Sequence, residues 1–330
     1  MKVLRAEMWD KMQYLFRNYY DRMVHAVLYY DNIIDARILK DILLSFTEKT
    51  PVLHSAYHNN PIKPYWTVEK YTIDDILTVR ESVDLESDIN NFITGEISAD
   101  SNVQYKVAIF NKDNRSTLCL LVNHMCFDGG DFKYFLNKLS ENYCNVVGGI
   151  KKVEIKEGSR SHTEVYTKFD EESRKEAEKL YKNISKVKDK HVFPLTPPCS
   201  NDKKRIIKRK IDKELFIKFK EIGKKYGATI NDLMLTVYIR ALYDIGNYNS
   251  EEPLTIPCMM DLRRYIKNEG KSSGLANHTG FMPCTVQQKG ATVNDTLIEV
   301  LRSAKRSKRD RFMGLYSLPL LKLAYMVFPH

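Results

Sequence analysis

His124 and Asp128 stand four residues apart within Asn123-His124-Met125-Cys126-Phe127-Asp128-Gly129-Gly130. A hydroxyl or an amine is a poor nucleophile until its proton is removed as it attacks. Imidazole suits that task near neutrality, since its ordinary pKa is ~6.5. On position alone His124 could equally be a core or turn residue with no chemical work. Asn123 cannot act as a base, but its amide can hydrogen-bond and orient the loop. Gly129 and Gly130 let the backbone turn tightly and come close to a ligand. Cys126 could pair with His124 as a nucleophile. Nothing else in the chain points to a thiol enzyme, and cysteine in apolar surroundings is commonly a small hydrophobe.

The flanking residues place this cluster. Leu118-Cys119-Leu120-Leu121-Val122 is a continuous apolar run of strand length, which predicts a strand buried on both faces. Phe132, Phe135, Leu136, Leu139 and Tyr143 recur at helical spacing. His124 therefore belongs to a short loop where a buried strand hands over to an amphipathic helix. Loops held by such a scaffold often carry chemistry.

Other histidines are weaker candidates. His54 and His58 have a spacing that could bind a metal on a helix. Their stretch reads as strand and loop, with no acidic third ligand nearby, so no metal site is expected. His278 precedes a strand and could line a cleft with Asn277, although most loop histidines are merely exposed.

The order of elements extends beyond the motif. Val24–Tyr30 reads as a strand, and Asp35 caps a helix with one apolar face. Val52–Tyr57 is a short strand candidate after Thr50-Pro51. Val103–Phe110 and Leu118–Val122 form a hairpin around a polar turn. From Gly148 to about Pro198, Lys and Glu dominate, with a possible helix over Glu171–Tyr181. That stretch reads as a crossover between two halves. Arg205–Ile211 is a strand candidate that restarts the fold. Two helices follow, capped by Asp212 and Thr229, the first ended by Gly227. Leu254–Met260 and Phe281–Val286 read as strands. Thr292 and Asp295 open a last clear helix. The expected division is 1–150, a crossover over 151–198, and 199–330.

His124 with Asp128-Gly129 resembles the His-His-x-x-x-Asp-Gly motif of the chloramphenicol-acetyltransferase-like superfamily. Asn123 stands at the first histidine. That superfamily includes condensation domains and stand-alone alcohol acetyltransferase-like proteins, and the chain is most similar to the stand-alone bacterial kind. The opening strand–helix–"Pro-Val-Leu" order, the hairpin before the motif, the Ala-Thr-Ile-Asn-Asp-Leu helix start with Asp261-Leu262-Arg263-Arg264, and Gly274-Leu275-Ala276-Asn277 support the likeness. It implies an α/β (α+β) fold of two mixed-sheet sandwich halves with a cleft between them. It implies His124 as general base, with direct transfer and no acyl-enzyme. It implies a structural role for Asp128, paired with Arg263 or, failing that, Arg264; a His–Asp relay is the rival. Gly130, Asn277 and His278 are cleft candidates. Members of the superfamily usually run on past His330, and condensation domains carry there an Asp-Phe-Gly motif that is missing here. The second half is therefore expected to be incomplete, and the apolar stretch 314–330 to need a cover.

Composition narrows the partners. The 330 residues are 43% hydrophobic and 28% charged, which is globular. No run is apolar enough for a transmembrane helix, and the start lacks a signal-peptide pattern. Six scattered cysteines read as reduced thiols and a cytoplasmic location. The net charge of +10 concentrates at Lys203–Lys213 and Arg302–Arg311. Solvated surface is the simplest account. Coenzyme A phosphates or an acidic carrier protein come next. Nucleic acid comes last, because no recognition motif accompanies the charge. The expected activity is acyl transfer from a thioester, acyl-CoA or an acyl carrier, to the hydroxyl or amine of a small molecule, with no bound cofactor. The alternative is a catalytically inactive condensation-domain-like interaction protein or truncated remnant.

Overall fold

The computed structural model describes residues 2–150, 155, 158–162, 171, 172, 175, 179, 189–194, 206–266, 274–308, 314, 315 and 317–327. In chain order the elements are β1 (Val3–Arg5), α1 (Met8–Leu15), β2 (Met23–Tyr30), α2 (Ala36–Lys49), β3 (Ser55–His58), β4 (Tyr65–Val68), β5 (Leu77–Glu81), α3 (Leu85–Ile93), β6 (Tyr105–Lys112), β7 (Arg115–Asn123), α4 (Gly129–Val147), α5 (Lys213–Tyr226), α6 (Ile230–Ile245), β8 (Leu254–Asp261), β9 (Thr279–Val286), α7 (Val293–Lys308) and α8 (Ser317–Val327).

A mixed four-stranded sheet in the order β2-β7-β6-β5 carries the first half. β5 runs parallel to β6, while the other pairs are antiparallel. β7 lies inside this sheet, and every residue after Arg115 is buried. Its side chains alternate between faces. Leu118, Leu120 and Val122 meet Leu39, Ile42 and Phe46 of α2 and Phe132, Phe135 and Leu139 of α4. Cys119 joins Ile89 and Ile93 of α3 on the other face. Each such Leu or Val contributes about 1.5–3 kcal/mol by leaving water. Asp113 and Asn114 have φ of 50° and 58°, the left-handed turn that joins two twisted strands in a tight hairpin. A second sheet, β1-β4-β3, packs beside α1 through the Trp66 indole, which donates to Asp10.

In the second half β8 and β9 pair antiparallel over their full length. Leu254, Cys284 and Val286 pack against Ile239 and Tyr243 of α6 and Val300 of α7. The caps expected at Asp35, Asp212 and Thr229 form, and Gly227 ends α5 at φ 64°. Thr292 and Asp295 exchange hydrogen bonds at the start of α7. No helix among the described residues is long and apolar enough to cross a membrane.

Three expectations change. Pro51–His54 forms a 3₁₀ turn, and the strand starts only at Ser55. Proline presets the turn, and the Ser55 hydroxyl closes it by donating to the Pro51 carbonyl at 2.7 Å. The strand expected over Arg205–Ile211 is absent from 206–211, Arg205 lying outside the described residues. Three successive cations between Ile207 and Ile211 leave no apolar period of two, and Ile206 packs against the α3 face of the first sheet. The apolar stretch after Gly314 is covered in part, folding back as α8 with Leu321 on Trp9 and Met12 of α1, while Leu323, Met326 and Val327 stay exposed. Most of the crossover over 151–198, including most of the helix expected over Glu171–Tyr181, and parts of both basic stretches lie outside the described residues; 171, 172, 175 and 179 are helical.

Candidate active site

The motif loop begins where β7 stops. Asn123 is fully buried and uses both ends of its amide. Its Oδ1 accepts from the Met125 amide at 3.1 Å, and its Nδ2 donates to Oε1 of Gln104 at 2.8 Å. Gln104 in turn donates to the carbonyls of Ser55, Ala99 and Ser101. A donor and an acceptor on one short side chain turn the strand into the loop, and an amide supplies both without charge.

His124 is held by its backbone from two sides. Its N–H donates to the Arg22 carbonyl at 2.7 Å, and its carbonyl accepts from Nδ2 of Asn277 at 2.8 Å. One contact comes from the first half and one from the second. The ring is half-buried, and its Nδ1 is buried with no hydrogen-bond partner among the described residues. The peptide is thus fixed on both flanks, while no described protein group claims that ring nitrogen.

Asp128 ties the two halves together. Its Oδ1 accepts from the Gly130 and Asp131 amides at 2.9 and 3.0 Å, which caps α4. Its Oδ2 accepts from the His278 amide at 2.8 Å and the Thr279 hydroxyl at 3.1 Å. Arg263 grips both oxygens, at 2.7 and 3.2 Å. Burial pushes the Asp128 pKa up, but the Arg263 hydrogen bonds and charge, with the backbone amides, outweigh it and hold the carboxyl below its ordinary range. No contact joins Asp128 to the His124 ring. Gly130 serves this pair: a Cβ there would lie 2.7 Å from Nη1 of Arg263. Gly129 has open space around its Cα.

Asp131, Asp10 and Arg160 complete the frame, and none was singled out by sequence. Asp131 lies 2.8 Å from Nη2 of Arg263, and its Oδ2 accepts from the Ala276 amide. Asp10 and Arg160 form a buried pair with two contacts of 3.0 Å. Arg160 also donates to the carbonyls of Met125, Cys126 and Leu275. One guanidinium therefore spans α1, the motif loop and the loop before β9. Trp9 adds an indole hydrogen bond to the Thr279 carbonyl.

His278 is buried, not exposed, and its ring lies 5.7 Å from that of His162. Burial, with Arg263 and His162 nearby, pushes its pKa down to about 4. Asn277 and His278 thus reach the motif from the second half, Asn277 through its side chain and His278 through its amide. Arg264 makes no described contact with Asp128. His54 and His58 turn to different neighbours, the Glu69 carbonyl at 2.8 Å and the Thr67 hydroxyl at 2.7 Å. The Cys126 thiol faces the Val52 carbonyl, and burial raises its pKa, so a thiolate is disfavoured there. A cleft of about 700 Å³ opens where the halves meet, lined by Arg5, Glu7, Asp131, Arg160, Arg263 and Leu275. His124 is not among its lining residues.

Solved structures with this architecture come from several enzymes. The epimerization domain from the third module of tyrocidine synthetase B superposes with a TM-score of 0.70 at 15% identity, over 97% of this chain and 74% of that one. The TRI3 trichothecene 15-O-acetyltransferase from Fusarium sporotrichioides gives 0.73 at 12% identity, over 98% and 76%. The condensation domain of the Monacolin K polyketide synthase MokA gives 0.62 at 12%, over 100% and 77%. At such identities the likeness is one of fold. No curated protein sequence matches the chain. The condensation domain family matches residues 11–319, nearly the whole chain, with the motif loop, Arg263 and the 274–279 loop inside the match. By that match, and by the two-sided frame around His124, the chain belongs to the condensation domain family.

Proposed function

We propose that the chain is an acyltransferase that moves an acyl group from a thioester to a hydroxyl or amine, with His124 as general base. The observation that carries this is the His124 peptide, pinned by Arg22 on one side and Asn277 on the other, under a half-buried ring. A base must be oriented yet open to the proton it takes. His124 takes the acceptor's proton as the oxygen or nitrogen attacks the thioester carbonyl. The new C–O or C–N bond forms, the C–S bond breaks, and the proton passes to the departing thiolate. Asp128 and Arg263 hold the loop and do no proton transfer.

Acyl-CoA is the donor we favour, with an acyl carrier thioester as the other form of the same chemistry. The exposed cations Lys208, Arg209 and Lys210 suit the phosphates of either. A CoA donor fits a cytoplasmic enzyme. The test is thiol release from a panel of acyl-CoAs with alcohol and amine acceptors. Acceptor-dependent release supports the proposal, and none from any pair rejects it.

A second reading, a catalytically inactive interaction protein, draws on the apolar faces of α5 and α6. Leu215 and Ile222 of α5 and Met234 and Val237 of α6 are exposed. Such a face marks a partner surface when it is contiguous. Absence of turnover with retained fold would favour this reading.

A further inference from the structure

Three arginines surround the motif loop, and one is paired unlike the others. Arg160 and Arg263 face carboxylates at 3.0 and 2.7 Å. Arg22, just before β2, has a side chain only 6% exposed, yet its nearest carboxylate is Glu96 at 3.6 Å, itself 61% exposed. That separation is beyond a normal hydrogen bond. Its Nη1 points at the Met125 sulfur at 3.4 Å, a weak acceptor. A buried guanidinium ordinarily needs close, well-aligned acceptors to offset lost hydration. Against burial, carboxylates beside Arg160 and Arg263 push their pKa values up, whereas burial pushes that of Arg22 down.

Arg22 lines a pocket of about 530 Å³ with Tyr14, Arg17, Tyr57, His58 and Asp100. That is the size of a small-ligand site. Arg17 lies over the Tyr14 ring, 4.3 Å from its centroid, and its Nη1 donates to the Tyr14 carbonyl. Tyr57 is 3% exposed, and its hydroxyl has no hydrogen-bond partner among the described residues. Asp100 is engaged by the Ser98 hydroxyl. Arg22 itself joins the pocket to the motif loop, since its carbonyl receives the His124 amide and its guanidinium touches Met125.

We propose that this pocket binds a carboxylate carried by the acyl acceptor, held by Arg22 with Arg17 at the mouth. A planar carboxylate matches the guanidinium fork in two parallel hydrogen bonds. One negative charge offsets the excess at Arg22, while Asp100 in the pocket wall and Glu96 beside Arg22 disfavour a dianion. The word acceptor rests on the acyl-transfer reading above; the carboxylate site does not.

The test is isothermal titration of the full chain with 4-hydroxybenzoate, 3-hydroxybutyrate and N-acetyltyrosine, each against its methyl ester. At least one acid binds, and its ester binds about 10-fold more weakly or worse, as loss of a charge-assisted pair requires. Arg22→Gln weakens the acid by about 10-fold or more and leaves the ester unchanged. Arg17→Gln, at an exposed position where folding is not at stake, weakens the acid a few-fold. Equal binding of acid and ester, no binding of any acid, or acid affinity unchanged in both arginine variants overturns the proposal. Acids bound through Arg22 but not acylated uphold the site and count against the acyl-transfer reading alone.

Discussion

Nη2 of Arg263 lies 2.7 Å from Oδ1 of Asp128, so a residue that follows β8 grips the cap of α4, the helix that follows the motif. The same nitrogen reaches Asp131 at 2.8 Å. Removing either partner of a fully buried pair costs roughly 3–5 kcal/mol; here the loss should be smaller, because Arg263 keeps Asp131 and Asp261 and Asp128 keeps the Gly130, Asp131 and His278 amides. Asp128→Ala and Arg263→Ala should each unfold at lower denaturant, and the double variant should lose much less than the sum. Urea titrations of the three variants decide this; additive losses would show that the pair is not coupled. Arg263→Lys should not restore stability, because one ammonium cannot span two carboxylates as a planar fork does.

Arg160 and Asp10 should behave alike but reach further. Arg160→Met leaves Asp10 charged and buried, and it also releases the carbonyls of Met125, Cys126 and Leu275. A loss of roughly 3–5 kcal/mol is expected, with faster amide exchange at 124–126 than in Asp10→Asn. Equal exchange in the two variants would mean that Arg160 does not hold the loop.

Acid should loosen the junction before it reaches the carboxylates. His278 has a folded pKa of about 4 against an ordinary ~6.5, so the unfolded chain binds its proton first. Its contribution to stability is whole above pH ~6.5 and is lost as pH falls towards ~4. The half-buried His162 is also depressed by its partial burial, so its effect has the same sign. The loss from His278 should be at most roughly 3 kcal/mol. His278→Gln should flatten the pH dependence of the urea midpoint over that window; an unchanged slope would mean that His278 titrates normally.

Cys126 should be dispensable for chemistry. Cys126→Ala should cost about 1–2 kcal/mol through lost packing and keep its turnover. Its Sγ faces a buried carbonyl, with no route to a thiolate nucleophile. Loss of activity without loss of fold would restore the Cys–His alternative.

The parts of this fold that were legible in sequence are those with a period or a fixed spacing. β7 announces itself as an unbroken apolar run, and α4 repeats its aromatics at helical intervals, so the place of His124 between them followed. Arg263 was reachable through its Asp-Leu-Arg-Arg context. Asp10 and Arg160 were not, because their contact spans 150 positions and each is a single polar residue without a period. Arg160 also sits in a Lys- and Glu-rich stretch, where charge reads as solvated surface. His278 reads as an exposed loop residue, but its carbonyl receives the Leu262 amide and its own amide reaches Asp128, which draws the ring inside. Gly130 reads as freedom for a ligand, whereas the space it leaves is taken by Arg263.

The proposed role of His124 is to take the acceptor's proton. The most direct measurement is acceptor-dependent thiol release by His124→Ala beside wild type, with the urea midpoint taken on the same samples. Because the motif is held through backbone contacts and through Asp128, the midpoint should barely move, while turnover should fall by at least about 10²-fold. Wild-type turnover in a folded His124→Ala protein would contradict the account.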